Sequence, residues 1–90
     1  MNYNINMTKV DKLLKRFKSK PKDFTYEELV QVLKYFGYTE LAMGKTTGSA
    51  KKFKNDKNDL INFHKPHPNN IIKSYVINQI IEKLERNGLI

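Results

Sequence analysis

The stretch AMGKTTGSAKKFKNDKNDLINFHKPHP, residues 42–68, holds both histidines of the chain, Gly44 and Gly48, and two of its three prolines. Residues 49–54 and 60–65 read as two strands around Asn55-Asp56-Lys57-Asn58, four residues that favour a tight reversal. Side chains alternate faces along a strand, so Lys51 and Phe53 share one face while Ala50, Lys52 and Lys54 share the other. On the second strand Ile61 and Phe63 must lie against an apolar layer, which turns Asn62 and His64 to the open face. The register that matches these faces sets Phe53 opposite Ile61, Lys52 opposite Asn62 and His64 opposite Ala50. Directly opposed residues stand with their Cβ atoms about 4.5–5.5 Å apart. A glycine-bearing, lysine-rich hairpin ending in two histidines suits a phosphodiester chain as ligand.

Helical patterns flank this hairpin. Before it, Thr25 and Glu28 form a capping box, in which each side chain satisfies the other's free backbone donor. Leu29, Val32, Leu33 and Phe36 then mark a buried stripe, and Gly37 supplies a left-handed stop. Residues 38–43 read as a short strand leading into the loop at 44–48. After the hairpin, a helix over about 74–87 carries Ile77, Ile80, Ile81 and Leu84 on one side and ends at Asn87-Gly88. Nearer the start, Thr8 is an N-cap with Asp11 three residues on, and Val10, Leu13, Leu14 and Phe17 form one apolar stripe. Lys12, Lys15, Arg16 and Lys18 make its opposite, solvated face, and Pro21 ends the element. The expected fold is α+β, a short three-stranded antiparallel sheet with helices on one face, α-β-β-β-α behind an additional leading helix. Residues 1–22 read as a basic helical extension and residues 23–90 as the main domain. One core is expected from Leu29, Leu33, Phe36, Phe53, Ile61, Phe63, Ile77, Ile80 and Leu84.

Ninety residues suffice for one modest core. A formal charge of +8 points to a polyanion, because clustered lysines release counterions from phosphate backbones. The charge is uneven: residues 9–22 carry seven bases and Asp11 as the one acid. The absence of cysteine excludes disulfides and thiolate metal sites. No carboxylate is placed to complete a metal site with the two histidines, so neither metal nor cofactor is expected. No apolar run reaches the roughly 18–20 residues of a membrane span and no signal-peptide pattern opens the chain, so a cytoplasmic protein is expected.

The order of these features carries a resemblance. A helix ending in Phe-Gly-Tyr, a loop with Gly-Lys-Thr-Thr-Gly-Ser, a Phe on the second strand and His-Lys-Pro-His-Pro before Ile-Lys-Ser-Tyr are together similar to HicA toxins, over about residues 25–84. The resemblance implies a double-stranded-RNA-binding-domain-like fold, ribonuclease activity on mRNA, and an acidic HicB-like antitoxin that covers the basic hairpin face. It also implies a histidine directly after Gly48-Ser49, and here that position is Ala50. Three readings of Ala50 stand open: an inactivating substitution that lets a toxic protein be produced, a branch whose histidine lies elsewhere, or a chain that binds RNA without cutting it.

Metal-free RNA cleavage needs a base for the 2′-OH proton, an acid for the leaving oxygen, and cations for the charge on phosphorus. Histidine serves both proton steps because its ordinary pKa of about 6.5 lies near neutrality. His64 and His67 are therefore the candidate proton carriers, with His67 set between Pro66 and Pro68. Lys45, Lys51, Lys52 and Lys54 are candidates for the charge. Gly48 and Ser49, at the end of a loop that lets backbone N–H groups approach phosphate, are candidate RNA contacts. Lys73 joins them at the start of the last helix, where anions are favoured. The opposing reading makes the His-Lys-Pro-His-Pro segment a rigid surface connector. Tyr38 and Tyr75 are read as packing residues before base-stacking ones.

Overall fold

The computed structural model describes residues 8–42 and 50–90. Three helices, α1 (Lys9–Lys18), α2 (Tyr26–Tyr35) and α3 (Ser74–Arg86), accompany three strands, β1 (Thr39–Glu40), β2 (Ala50–Lys54) and β3 (Leu60–His64). The strands form one antiparallel sheet in the order β1-β2-β3. The architecture is thus α+β, and its order is consistent with a double-stranded-RNA-binding-like arrangement behind a leading helix. No helix among the described residues is long and apolar enough to cross a membrane.

Local chemistry accounts for the helix ends. Thr8 and Asp11 close a full capping box on α1, and Thr25 and Glu28 close another on α2. Gly37 follows α2 at φ +89° and Gly88 follows α3 at φ +73°, the left-handed positions that favour glycine. The β2–β3 reversal is held from inside by Asn55. Its Oδ1 accepts from the N–H groups of Lys57 and Asp59 at 3.0 and 2.8 Å. Asn58 completes the turn at φ 65°.

The hairpin register pairs Ala50 with His64, Lys52 with Asn62 and Phe53 with Ile61, as alternation requires. Phe53, Ile61 and Phe63 are buried, and the Phe53 and Phe63 rings stack at 5.8 Å with 2° between their planes. Leu29, Val32 and Leu33 of α2 join Ile77, Ile80, Ile81 and Leu84 of α3 in the same core, which also takes in Leu14 and Phe17 of α1. Phe36, expected in the core, is only half-buried. It is the C-cap of α2, where the chain turns away, and it meets Tyr35 edge-on.

Phe24 and Ile72 are core residues without a periodic signature, and Tyr26 opens the buried stripe of α2 ahead of Leu29 and Leu33. They meet because residues 24–26 and 70–72 form a short antiparallel bridge. The Ile72 N–H donates to the Phe24 carbonyl, and the Tyr26 N–H to that of Asn70, both at 2.8 Å. β1 is shorter than the expected strand over 38–43. Beyond it the Leu41 N–H still reaches the Lys52 carbonyl at 2.8 Å, and Met43 lies outside the described residues.

Tyr38 is fully buried, and its hydroxyl donates to the Asp59 carboxylate. Lys83 Nζ donates to the same carboxylate at 3.0 Å, and Asn87 Nδ2 at 3.1 Å. This network ties the start of β3 to the end of α3. It gives Asp59 and Tyr38 opposite shifts. The hydrogen bond from Tyr38, followed by Lys83, holds the Asp59 carboxyl below its ordinary range despite an opposing effect of burial. Burial first, and the bond to Asp59 second, push the Tyr38 phenol from 10.0 up to about 12.

A carboxyl with a lowered folded value contributes stability above its unfolded range, and that contribution is lost as pH falls through the folded value. A phenol with a raised value keeps its proton in the folded state while the unfolded chain gives it up. Stability therefore declines as pH rises from 10.0 to about 12. Tyr38→Phe is expected to cost about 1.5–3 kcal/mol at neutral pH, the usual worth of a hydrogen bond to a charged group. It should also flatten the alkaline decline. Urea unfolding at pH 7 and pH 11 checks both, and an alkaline decline retained in full would remove Tyr38 as its cause.

Candidate functional site

The sheet presents two unlike faces. Phe53, Ile61 and Phe63 point into the helical layer, while the intervening positions carry Ala50, Lys52, Lys54, Asn62 and His64 on the other side. His64 is exposed, and it closes β3 directly across from Ala50. Lys52 and Lys54 are half-buried by their stems, and neither has an acidic partner among the described residues.

Lys51 is set apart from them. It pairs with Phe63 in the register, so it lies on the helix-side rim, and its Nζ stands 3.6 Å from Glu40 of β1. Lys45, Gly48 and Ser49, and the loop at 44–48 to which they belong, lie outside the described residues.

Beyond β3 the chain makes a cleft of about 310 Å³ against the start of α3. It is lined by His64, Lys65, Pro66, His67, Lys73 and Tyr75, with Ile72 and Val76 behind them. Both histidines and Lys73 thus share one concavity. Lys73 is the N-cap of α3 and makes no side-chain cap bond; the Val76 N–H donates to its carbonyl at 3.0 Å, and the Ser74 and Tyr75 N–H groups keep their donor capacity beside the cleft. The 13-residue helix brings its positive dipole end there as well.

Lys65 belongs to the cleft and was not singled out by sequence. Its Nζ lies 5.0 Å from the centre of the Tyr26 ring, and its side chain lines the same cleft as the two histidines. The signal lay in its place between His64 and His67. Tyr75 corrects an expectation: it is 59% exposed at the cleft and packs on no core, because it sits two residues before Ile77 and so off the buried stripe. Its ring is free to stack on a planar ligand.

The cleft therefore offers two imidazoles, two ammonium groups, a helix N-terminus and an exposed aromatic ring. No group of three or more His, Asp or Glu side chains able to hold a metal ion occurs among the described residues.

Searches among curated proteins and among solved structures find no match for the chain. A family model does: the one described as HicA toxin of bacterial toxin-antitoxin matches residues 26–86, from the first residue of α2 to the last of α3. That span holds the whole sheet, both histidines and the cleft, and it covers more than half of the sequence. The chain belongs to the HicA toxin family.

Proposed function

We propose that this toxin is a metal-independent ribonuclease acting on mRNA, with His64 as its principal proton carrier. The observation behind this reading is the pairing of Ala50 with His64 on the exposed face of the hairpin. The position at which HicA resemblance places a histidine is Ala50, and the residue across the ladder from it is a histidine. Directly opposed side chains start about 4.5–5.5 Å apart at Cβ. An imidazole on β3 therefore reaches the ground that one on β2 would cover.

In the reaction the 2′-oxygen attacks phosphorus as one histidine removes its proton. The bond from phosphorus to the 5′-oxygen breaks, and the other histidine protonates that oxygen. The products are a 2′,3′-cyclic phosphate and a 5′-hydroxyl. His64 and His67 line one cleft and divide these roles between them. Lys52, Lys54, Lys65 and Lys73 offset the charge that builds on the phosphoryl oxygens.

Membership of the family implies a HicB-type antitoxin as partner. An acidic antitoxin surface laid over Lys52, Lys54 and the cleft would neutralise those cations and exclude RNA. Expression of the chain in a bacterium should arrest growth, and co-expression of the antitoxin encoded beside it should relieve the arrest. Unimpaired growth would overturn the reading.

Ala50 itself supports a second reading, a non-catalytic RNA-binding module, since a methyl group moves no proton. Purified chain and its Ala50→His variant, incubated with single-stranded RNA, separate the two. Cleavage by the chain as it stands supports the His64 site, and cleavage only by the variant marks a disabled enzyme. RNA bound but uncut by both forms is the binding module.

RNA affinity should fall steeply with salt, at about −0.7 in log–log slope per neutralised phosphate on a single strand. Lys52→Gln with Lys54→Gln should flatten that slope by roughly one to two units. Fluorescence anisotropy titrations at several salt concentrations measure it, and an unchanged slope would remove the hairpin lysines from the interface.

A further inference from the structure

We propose that α1 and the turn after it form a second RNA-backbone contact, a lysine track that leads into the cleft and lies outside the family-matched region. This inference rests on the RNA reading given above.

Charge supplies the first part. Among the described residues, Lys9, Lys12, Lys15, Lys18, Lys20 and Lys22 are all exposed, and none has an acidic partner. The chain has nine acids, and those nearest to the track are already committed. Asp11 caps α1 by accepting from the Thr8 N–H. Asp23 and Glu28 both accept from the Arg16 guanidinium, at 2.7 and 3.0 Å. Arg16, expected on the solvated face, thus turns inward and also covers Phe24 at 5.0 Å from the ring centre. The one arginine of the segment fastens α1 down, and the six lysines are left with water. So dense a like-charge cluster, held on a folded element with its counter-charges withdrawn, favours an extended polyanion.

Spacing supplies the second part. Lys9, Lys12, Lys15 and Lys18 recur every third residue, and each step advances about 4.5 Å along the helix. Lys12 and Lys15 lie opposite the stripe that buries Leu14 and Phe17, and Lys9 and Lys18 flank them. The row is about 13.5 Å long, enough for several successive phosphates.

The third part is continuity with the cleft. Beyond α1 the chain turns at Lys20, which adopts φ 58°, and runs through Lys22 into the bridge with residues 70–72. That bridge is antiparallel, so the segment leading back to Lys22 and the segment leading on to Lys73 leave it in the same direction. Asp23, the residue between Lys22 and the bridge, is held by Arg16. The bridge thus sets the end of the lysine segment and Lys73, which lines the cleft of His64 and His67, to its same side. A strand cut at the cleft would lie along α1 with its backbone.

The test uses the full chain and a fluorescent oligouridylate too long to be covered by the cleft alone. Lys12→Gln, Lys15→Gln and Lys18→Gln are made together, beside a triple Lys→Arg control and the Lys52/Lys54 double variant. Circular dichroism and thermal melting establish that α1 stays folded, and the arginine control preserves charge if glutamine perturbs the helix. The expected result is a salt slope flattened by about two units in the glutamine triple and unchanged in the arginine triple. A slope altered only by the Lys52/Lys54 variant overturns the α1 contact and leaves the RNA reading standing. No RNA binding by the parent chain overturns both. Retained RNA binding in the glutamine triple, with loss of binding to phosphatidylserine vesicles, would assign α1 to a membrane surface and overturn the proposal.

Discussion

His64→Ala is expected to lower the rate of RNA cleavage by about 10²–10⁴-fold, the usual loss when a positioned general acid or base is removed. The imidazole is exposed, so its removal should leave the melting temperature within a degree or two of the parent and separate chemistry from folding. Cleavage of a fluorogenic RNA at saturating substrate reads the effect in kcat, because a proton carrier acts on the transition state and little on ground-state binding. His67→Ala, which removes the proposed second proton carrier, should lower the rate as well, by less than His64→Ala. The pH dependence then distinguishes the cases, since loss of either partner should remove one limb of a bell-shaped profile. Activity that survives the loss of both histidines would end this account of the chemistry.

Phe53→Ala is expected to destabilise the domain by about 3–5 kcal/mol, as large-to-small changes at fully buried aromatic positions do. Phe53 is inaccessible to solvent and stacked on Phe63. A domain of this size has only about 5–15 kcal/mol to lose, so the variant should be largely unfolded at growth temperature. Urea denaturation followed by far-UV circular dichroism measures the change. A cost below about 1 kcal/mol would mean that Phe53 does not face the helical layer. The placement of His64 would fall with it, because both residues are assigned by the same alternation.

Residues that repeat with the period of their element are legible in the amino-acid sequence itself. Leu14 and Phe17, Leu29 and Leu33, and Ile77, Ile80 and Leu84 announce their helices, and the two capping boxes announce where two of them begin. The hairpin register is legible too, since alternation buries Phe53, Ile61 and Phe63 together and the turn at residues 55–58 sets Phe53 across from Ile61. Phe24 and Ile72 are not, because they sit in segments with no period and are buried by a pairing between parts of the chain far apart in sequence. The turn of Arg16 away from solvent is hidden likewise. A helical wheel puts it with the lysines, and only the folded chain brings Asp23 and Glu28 within its reach. In the cleft, His64, His67 and Lys73 follow from chemistry alone. Lys65 and the exposure of Tyr75 depend on the path of residues 65–73 past the start of α3.

The bridge between residues 24–26 and 70–72 has a consequence for the order in which the molecule comes apart. Two hydrogen bonds of 2.8 Å join segments that are distant in the chain, and they rest on Phe24 and Ile72, both buried. Loops that long close late and slowly, because their entropy is lost before the contacts they permit are gained. The amide protons of Tyr26 and Ile72 should then exchange with deuterium only when the whole domain opens, while those of α1 exchange through local fraying. A cleft built on such a closure is expected to form and to be lost with the domain as a whole. The histidines and lysines that line it should then come together and separate in that one cooperative step.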